Sequence, residues 1–151
     1  MPTPLLCIDQ IGTRAGLTMV DETNPLPFNR TSEYPLATSG VTNSSGNVAN
    51  SAAVASLAAV AGKLNYVTGF EVTSSGSTTG AVVLVTLVGV VGGTMTFVYT
   101  TAAGALVGNA PLIVEFIKAV PASALNTAIT VNLPALGLGN TNAAVVVHGY
   151  Q

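Results

Sequence analysis

Two apolar runs separated by glycines, Ala81–Val88 and Met95–Thr100, dominate the hydrophobic pattern of the chain. Val, Thr, Phe and Tyr favour the extended backbone of a strand, and glycines supply the positive φ angles that a tight reversal requires. The pattern therefore predicts a central β-hairpin whose apolar faces organise a β-sandwich. A membrane-spanning helix is the alternative for so apolar a run. The Gly-Gly break, the threonines and the lack of flanking Lys or Arg disfavour that helix.

Alternation with a period of two residues predicts further strands. It is clearest over Leu64–Thr73, where every second side chain from Leu64 to Val72 shares one face. The other candidate strands are Ala52–Val60, Leu112–Ala119, Thr127–Leu133 and Ala143–Gly149. Ala52–Val60 is also compatible with a helix, because alanine has the highest helix propensity. Seven short strands separated by turns, with no helical crossovers, predict an all-β fold: an antiparallel β-sandwich or jelly-roll-like domain.

The first 47 residues differ in composition from the rest, and hold five of the eight prolines. Proline fixes φ and keeps the preceding residue extended, so long helices are disfavoured here. We predict an extended N-terminal arm and linker over residues 1–47, with a polar loop at Thr38–Ser51, and a β-sandwich domain over residues 48–151. A disordered tail is the alternative for the arm. The residues predicted to bind a partner are Leu5, Leu6, Ile8, Pro25, Leu26, Pro27 and Phe28.

Charged residues make up only 7% of the 151 residues, compared with about 25% in a typical soluble domain. A surface with so little charge suggests that much of it is covered by neighbours in the working state, although a secreted or fibrous protein has a similar composition. The net charge is −2 and the four basic residues are scattered, which argues against nucleic-acid binding. The N-terminus has no basic region followed by a long apolar core, so we expect synthesis and retention in the cytoplasm. A single cysteine, Cys7, excludes an internal disulfide.

Few residues offer catalytic chemistry. His148 is the only histidine, which rules out a His-rich metal site, and we interpret it as a core-edge or interface residue. Glu71 and Glu115 each have a lysine nearby in sequence (Lys63 and Lys118), which favours cross-strand or intersubunit ion pairs over a paired-carboxylate hydrolase. We therefore predict no enzymatic activity, no catalytic residue, no metal ligand and no cofactor.

Four segments carry a resemblance to a known group of proteins: the proline-bearing Val20–Phe28, the end of the polar stretch at Asn47–Asn50, the strand Tyr66–Val72 and the tail Asn140–Gly149. The chain resembles small bacteriophage virion proteins of the head-decoration (cement) or fibre-associated kind. The resemblance implies a jelly-roll-like domain that often trimerises on the capsid, with an arm that grips neighbouring subunits.

The expected function is that of a virion structural protein, a capsid decoration or cement protein that binds and stabilises the head surface as an oligomer. Its expected partners are the major capsid protein and other copies of itself, with a trimer favoured, and neither nucleic acid nor membrane. It would be made in the host cytoplasm and located on the capsid surface. The alternative is a fibre- or tail-associated module that binds a receptor or glycan.

Overall fold

In a computed structural model, which describes residues 39–104 and 106–151, the chain forms eight strands in two antiparallel sheets. The strands are β1 (Gly40–Ser44), β2 (Ala53–Leu57), β3 (Tyr66–Ser75), β4 (Ala81–Val88), β5 (Met95–Thr101), β6 (Leu112–Pro121), β7 (Ile129–Leu133) and β8 (Asn142–Tyr150). No helix occurs among the described residues. The predicted all-β sandwich is confirmed.

The strand order, which the sequence left open, is β1-β8-β3-β6 in the first sheet and β2-β7-β4-β5 in the second. The strands pair from the outside of the sequence inwards: β1 with β8, β2 with β7, β3 with β6 and β4 with β5. The first half of the domain therefore runs antiparallel to the second half, as in one long hairpin rolled into two sheets. Eight strands in this order form a jelly roll.

The core lies between the two sheets, where alternate side chains of each strand are buried. The largest fully buried side chains include Leu57, Phe70, Leu87, Ile129 and Leu133. Phe70 of the first sheet packs edge-to-face on Phe97 of the second, with ring centroids 5.0 Å apart. The Tyr99 hydroxyl also crosses the core, 2.9 Å from Ser74 Oγ. These contacts join the two sheets across the core.

β1 lies inside the stretch predicted to be a loop, so that prediction is wrong for Gly40–Ser44. The strand pairs with β8, and Val41 stands opposite Gly149. Four of its five residues are exposed, and only Val41 is half-buried. Because β1 covers an edge with its backbone and buries little side-chain surface, its sequence lacks the apolar alternation that predicts a strand.

β3 departs from the simple alternation predicted for Leu64–Thr73. Its pairing with both neighbours shifts between Val67 and Gly69, where Thr68 forms a β-bulge. As a result Val67 and Phe70 are both fully buried, although an unbroken alternation puts them on opposite faces. Tyr66 correspondingly lies on the outer face instead of sharing the core side with Phe70.

The predicted hairpin is confirmed as β4 and β5, at one end of the second sheet and not at its centre. Gly89, Gly92 and Gly93 in the connecting turn have φ values of 85°, 89° and 95°. A Cβ atom on Gly89 would also lie 2.1 Å from the Ala128 carbonyl oxygen, so a larger residue is excluded there. The membrane-helix alternative for this stretch is wrong. The described part of the chain contains no helix long and apolar enough to cross a membrane.

Candidate functional site

The outer face of the second sheet carries no charged side chain. Its outward residues are Val54 and Ser56 of β2, Thr130 and Asn132 of β7, Val82, Leu84, Thr86 and Val88 of β4, and Thr96, Val98 and Thr100 of β5. We call this set the uncharged face. The strand register joins these residues into cross-strand rows, so they form one continuous surface.

Exposed valine and leucine side chains cluster on the part of the uncharged face formed by β4 and β5, at one end of the sheet. Leu84 stands directly opposite Val98, and Val82 opposite Thr100. Val82, Leu84 and Val98 are 66%, 52% and 65% exposed. Single exposed apolar residues are common on soluble proteins, but contiguous apolar patches mark interaction surfaces. Val82, Leu84 and Val98 on β4 and β5 form a contiguous patch of this type.

Short hydroxyl and amide side chains occupy the rest of the uncharged face. Ser56 Oγ and Thr130 Oγ1 lie 2.7 Å apart and hydrogen-bond across β2 and β7. Asn132 stands between Val54 and Thr86 in the next row. The cores of protein interfaces are depleted of charge, because a buried charge must lose its hydration. This face can therefore be covered by another protein without burying an unpaired charge.

The outer face of the first sheet has a different character and carries Glu71, Glu115 and His148. His148 Nε2 lies 3.7 Å from Glu115 Oε1. Their strands, β8 and β6, flank β3 on opposite sides and are therefore about 10 Å apart. Gly69 stands between them in the register, and a Cβ atom there would lie 2.7 Å from His148 Nε2. The missing side chain of Gly69 allows the imidazole to reach the carboxylate.

The predicted ion pairs between glutamates and lysines are not seen among the described residues, but one glutamate lies close to a histidine on another strand. Glu115 does form an ion pair across strands when the imidazole is protonated, but its partner among the described residues is His148 and not Lys118. Lys118 lies where the pairing of β6 with β3 is interrupted, between Glu115 and Val120. Within the described residues, Glu71 has no lysine ammonium within 4.0 Å of its carboxylate.

Two stacked tyrosines extend this polar face towards the end of the sheet. Tyr66 and Tyr150 stand opposite each other on β3 and β8, with ring centroids 4.9 Å apart and an interplanar angle of 16°. Partial burial raises the pKa of Tyr150 above its ordinary value, and the nearby Tyr66 hydroxyl raises it by a smaller amount. We call Glu71, Glu115, His148, Tyr66 and Tyr150 the polar face.

The polar face offers hydrogen bonds, an ionic group and aromatic surface, on the flat exterior of a sheet. Glu71 is paired with Ile113, so Glu115 is its diagonal neighbour two residues further along β6. Residues 39–104 and 106–151 contain no cluster of three or more His, Cys, Asp or Glu side chains able to hold a metal ion. The arrangement is suited to contact with a polar or sugar-like ligand, or with a polar protein surface.

The residues predicted to bind a partner lie outside the described residues. These are Leu5, Leu6, Ile8, Pro25, Leu26, Pro27 and Phe28. Their role stays a prediction, as does the arm to which they were assigned. The uncharged face was not identified from the sequence. The missing information was the lateral order of the strands, which joins separate alternating stretches into one surface.

Comparison of the chain with protein-family models, curated proteins and solved structures found no match. Function is therefore inferred from the residues and geometry of the chain itself.

Proposed function

We propose that the chain is a bacteriophage virion structural protein, a decoration or cement protein that binds the head surface as an oligomer and stabilises it. The observation that carries the proposal is the uncharged face, because its exposed Val82, Leu84 and Val98 form an apolar surface suited to burial by a neighbour. The proposed neighbours are the major capsid protein and other copies of the chain, and the proposed location is the capsid surface after synthesis in the host cytoplasm. The resemblance implies a trimer.

Stabilisation would come from removing apolar surface from water at subunit junctions, at about 25 cal/mol per Å². A decoration protein can gain further from multivalency, since each additional contact of a bound oligomer is effectively intramolecular. Short side chains such as Ser56 and Thr130 lose little conformational entropy when a partner covers them. Leu5–Ile8 and Pro25–Phe28 are the proposed contacts from the N-terminal segment.

The test is sedimentation of the full chain with purified particles that lack it. Leu84→Glu places a charge within the apolar part of the uncharged face, and Thr73→Glu makes the same addition at an exposed position of the first sheet. We expect Leu84→Glu to lower the bound fraction at least tenfold and Thr73→Glu to bind as the unmodified chain does. Circular dichroism verifies that both variants remain folded. Full binding by a folded Leu84→Glu chain would contradict the proposal.

A second candidate function is a fibre- or tail-associated module that binds a receptor or glycan. The stacked Tyr66 and Tyr150 beside His148 and Glu115 favour it, because aromatic and polar groups together recognise sugars. The two candidates differ in which sheet they use. Retention of the chain on host cells or glycans, lost in Tyr150→Ala and kept in Leu84→Glu, would support the second candidate over the first.

A further inference from the structure

β5 is the last strand of the second sheet, and no described residue pairs with its outer edge. Its pairing with β4 is unbroken from Thr101, opposite Ala81, to Met95, opposite Leu87. The strand is seven residues long, MTFVYTT, with no charge and no proline. Among residues 39–104 and 106–151, the outer edge of β5 is therefore a regular row of backbone N–H and C=O groups with no strand paired to it.

The other sheet edges differ from β5. β1 and β2 are only five residues long. β6 is longer, but its pairing is irregular between Glu115 and Val120, it carries Glu115 and Lys118, and it ends at Pro121. Short length, bulges, charges and proline are the features that prevent edge strands from pairing with other chains. β5 has none of them, so its edge is open to an added strand.

We propose that β5 pairs antiparallel with β5 of a second copy, about a two-fold axis through Val98. Val98 is the middle residue of the strand, so this register pairs every β5 residue with another: Met95 with Thr101, Thr96 with Thr100, Phe97 with Tyr99, and Val98 with its own copy. The two second sheets then become one sheet of eight strands. The pairing rests on the edge of β5 and does not depend on the proposed virion function.

The chemistry of β5 favours a second copy as the occupant. Two identical edges without charge approach each other with no like-charge repulsion. The register places aromatic Phe97 opposite aromatic Tyr99, and Thr96 opposite Thr100, both of which are favourable cross-strand combinations. An antiparallel pair of seven residues forms about six to eight main-chain hydrogen bonds. The two uncharged faces also become continuous, with the two copies of Val98 side by side at their junction.

A two-fold contact of this kind produces dimers, or larger assemblies built from dimers, and not the trimer that the resemblance implies. Isologous contacts of this type are the commonest in homo-oligomers. The mass in solution distinguishes the two possibilities directly.

Disulfide trapping of the full chain tests the register. In a Cys7→Ser background, Val98→Cys places two thiols directly opposite each other across the axis. Opposed Cα atoms in an antiparallel pair lie about 4.5–5.5 Å apart, within the range of about 4.4–6.8 Å that a disulfide spans. Val82→Cys is the matched control, because Val82 is equally exposed on the same face. Its two copies lie three strand spacings (about 14 Å) apart across the sheet and four residues (about 13 Å) apart along the strands, or about 19 Å in all.

We expect Val98→Cys to form a covalent dimer on mild oxidation and Val82→Cys to remain uncrosslinked. Sedimentation velocity should also show a dimer that Val98→Lys dissociates and Val82→Lys does not. A monomer at the highest soluble concentration, or equal crosslinking at both positions, would overturn the proposal. So would a Val98→Cys chain that retains Cys7 and links those two residues, because the N-terminal segment would then occupy the edge. If the chain does not bind particles, the crosslinking and sedimentation results are unaffected. Failure of the proposed virion function can therefore be told apart from failure of the β5 pairing.

Discussion

Leu84 and Val98 stand directly opposite each other on β4 and β5, and both side chains are more than half exposed. Cross-strand apolar pairs normally face the core of a sandwich. Val85 and Leu87, which lie on β4 together with Leu84, do face the core. β4 is therefore mainly apolar on both faces, with Thr86 as its one polar residue. A half-buried strand alternates between apolar and polar residues, whereas a strand covered on both faces is apolar throughout. β4 has the sequence of a strand covered on both faces.

The difference between the two faces of β4 can be measured with one substitution at two positions. Leu84→Ala should lower the free energy of unfolding by less than about 1 kcal/mol, because its side chain is largely exposed. Leu87→Ala should lower it by about 2–5 kcal/mol, because it leaves a cavity between the sheets. Urea denaturation at a concentration where the chain is monomeric measures both. Similar losses at the two positions would show that the assignment of faces is wrong.

Gly69 is expected to tolerate no side chain. A Cβ atom there would lie 2.5 Å from the Val114 carbonyl oxygen, which belongs to the backbone of β6 and cannot move aside freely. Gly69→Ala should therefore destabilise the domain by about 1–3 kcal/mol. Gly108→Ala is the control, since a Cβ atom at that position would have no atom within 4 Å and the change should be within about 0.5 kcal/mol. Equal denaturation midpoints for the two variants would refute the steric argument.

Asn65 holds two loops together from a buried position. Its Nδ2 donates hydrogen bonds to the carbonyl oxygens of Ala58 and Thr127, at 3.0 and 2.8 Å. Asn65→Asp removes these donors and places a carboxylate against carbonyl oxygens, at an expected cost of more than about 2 kcal/mol at neutral pH. Asn132→Asp, on the outer face, is the control and should cost much less. A stability loss confined to Asn132→Asp would contradict the prediction.

Tyr150 should make the domain less stable in alkali. Its pKa is raised in the folded state, so between the unfolded and folded pKa values the native state binds more protons than the unfolded chain. The contribution of Tyr150 is therefore fully present below about pH 10, the ordinary tyrosine value, and is lost as the pH rises through the folded pKa. Tyr150→Phe should show a shallower decline of unfolding free energy above that pH. Identical slopes for both proteins would exclude the effect.

The N-terminal segment is predicted to contribute to assembly and not to folding of the domain. Deletion of Met1–Arg30 removes all seven residues predicted to contact a partner and leaves every strand of the sandwich. The truncated chain should keep a strand-rich circular dichroism spectrum and lose binding to particles. Decoration at full occupancy by the truncated chain would contradict the prediction.

Much of the fold was predictable because burial of one strand face leaves an alternating sequence. All seven predicted strands are present, including Ala52–Val60, where β2 occupies Ala53–Leu57. β1 was missed because its pairing depends on backbone hydrogen bonds, which any sequence can form. The bulge at Thr68 was missed because one inserted polar residue leaves no mark in the local composition.

The sites were less predictable than the strands, because each depends on which strands are neighbours. His148 and Glu115 are far apart in the chain and separated by a whole strand in the sheet, and they meet only because Gly69 lies between them. The uncharged face likewise combines four strands in the order β2-β7-β4-β5. The low charge of the chain predicted that such a surface exists. It did not predict which sheet carries it.

Protein neighbours are expected to cover the uncharged face, and cryo-electron microscopy of intact particles that contain the chain can show whether they do. We expect jelly-roll density on the head, with Val82, Leu84 and Val98 buried against the capsid protein or another copy. Density in which these three side chains face solvent, or particles in which the chain is absent from the head, would contradict it.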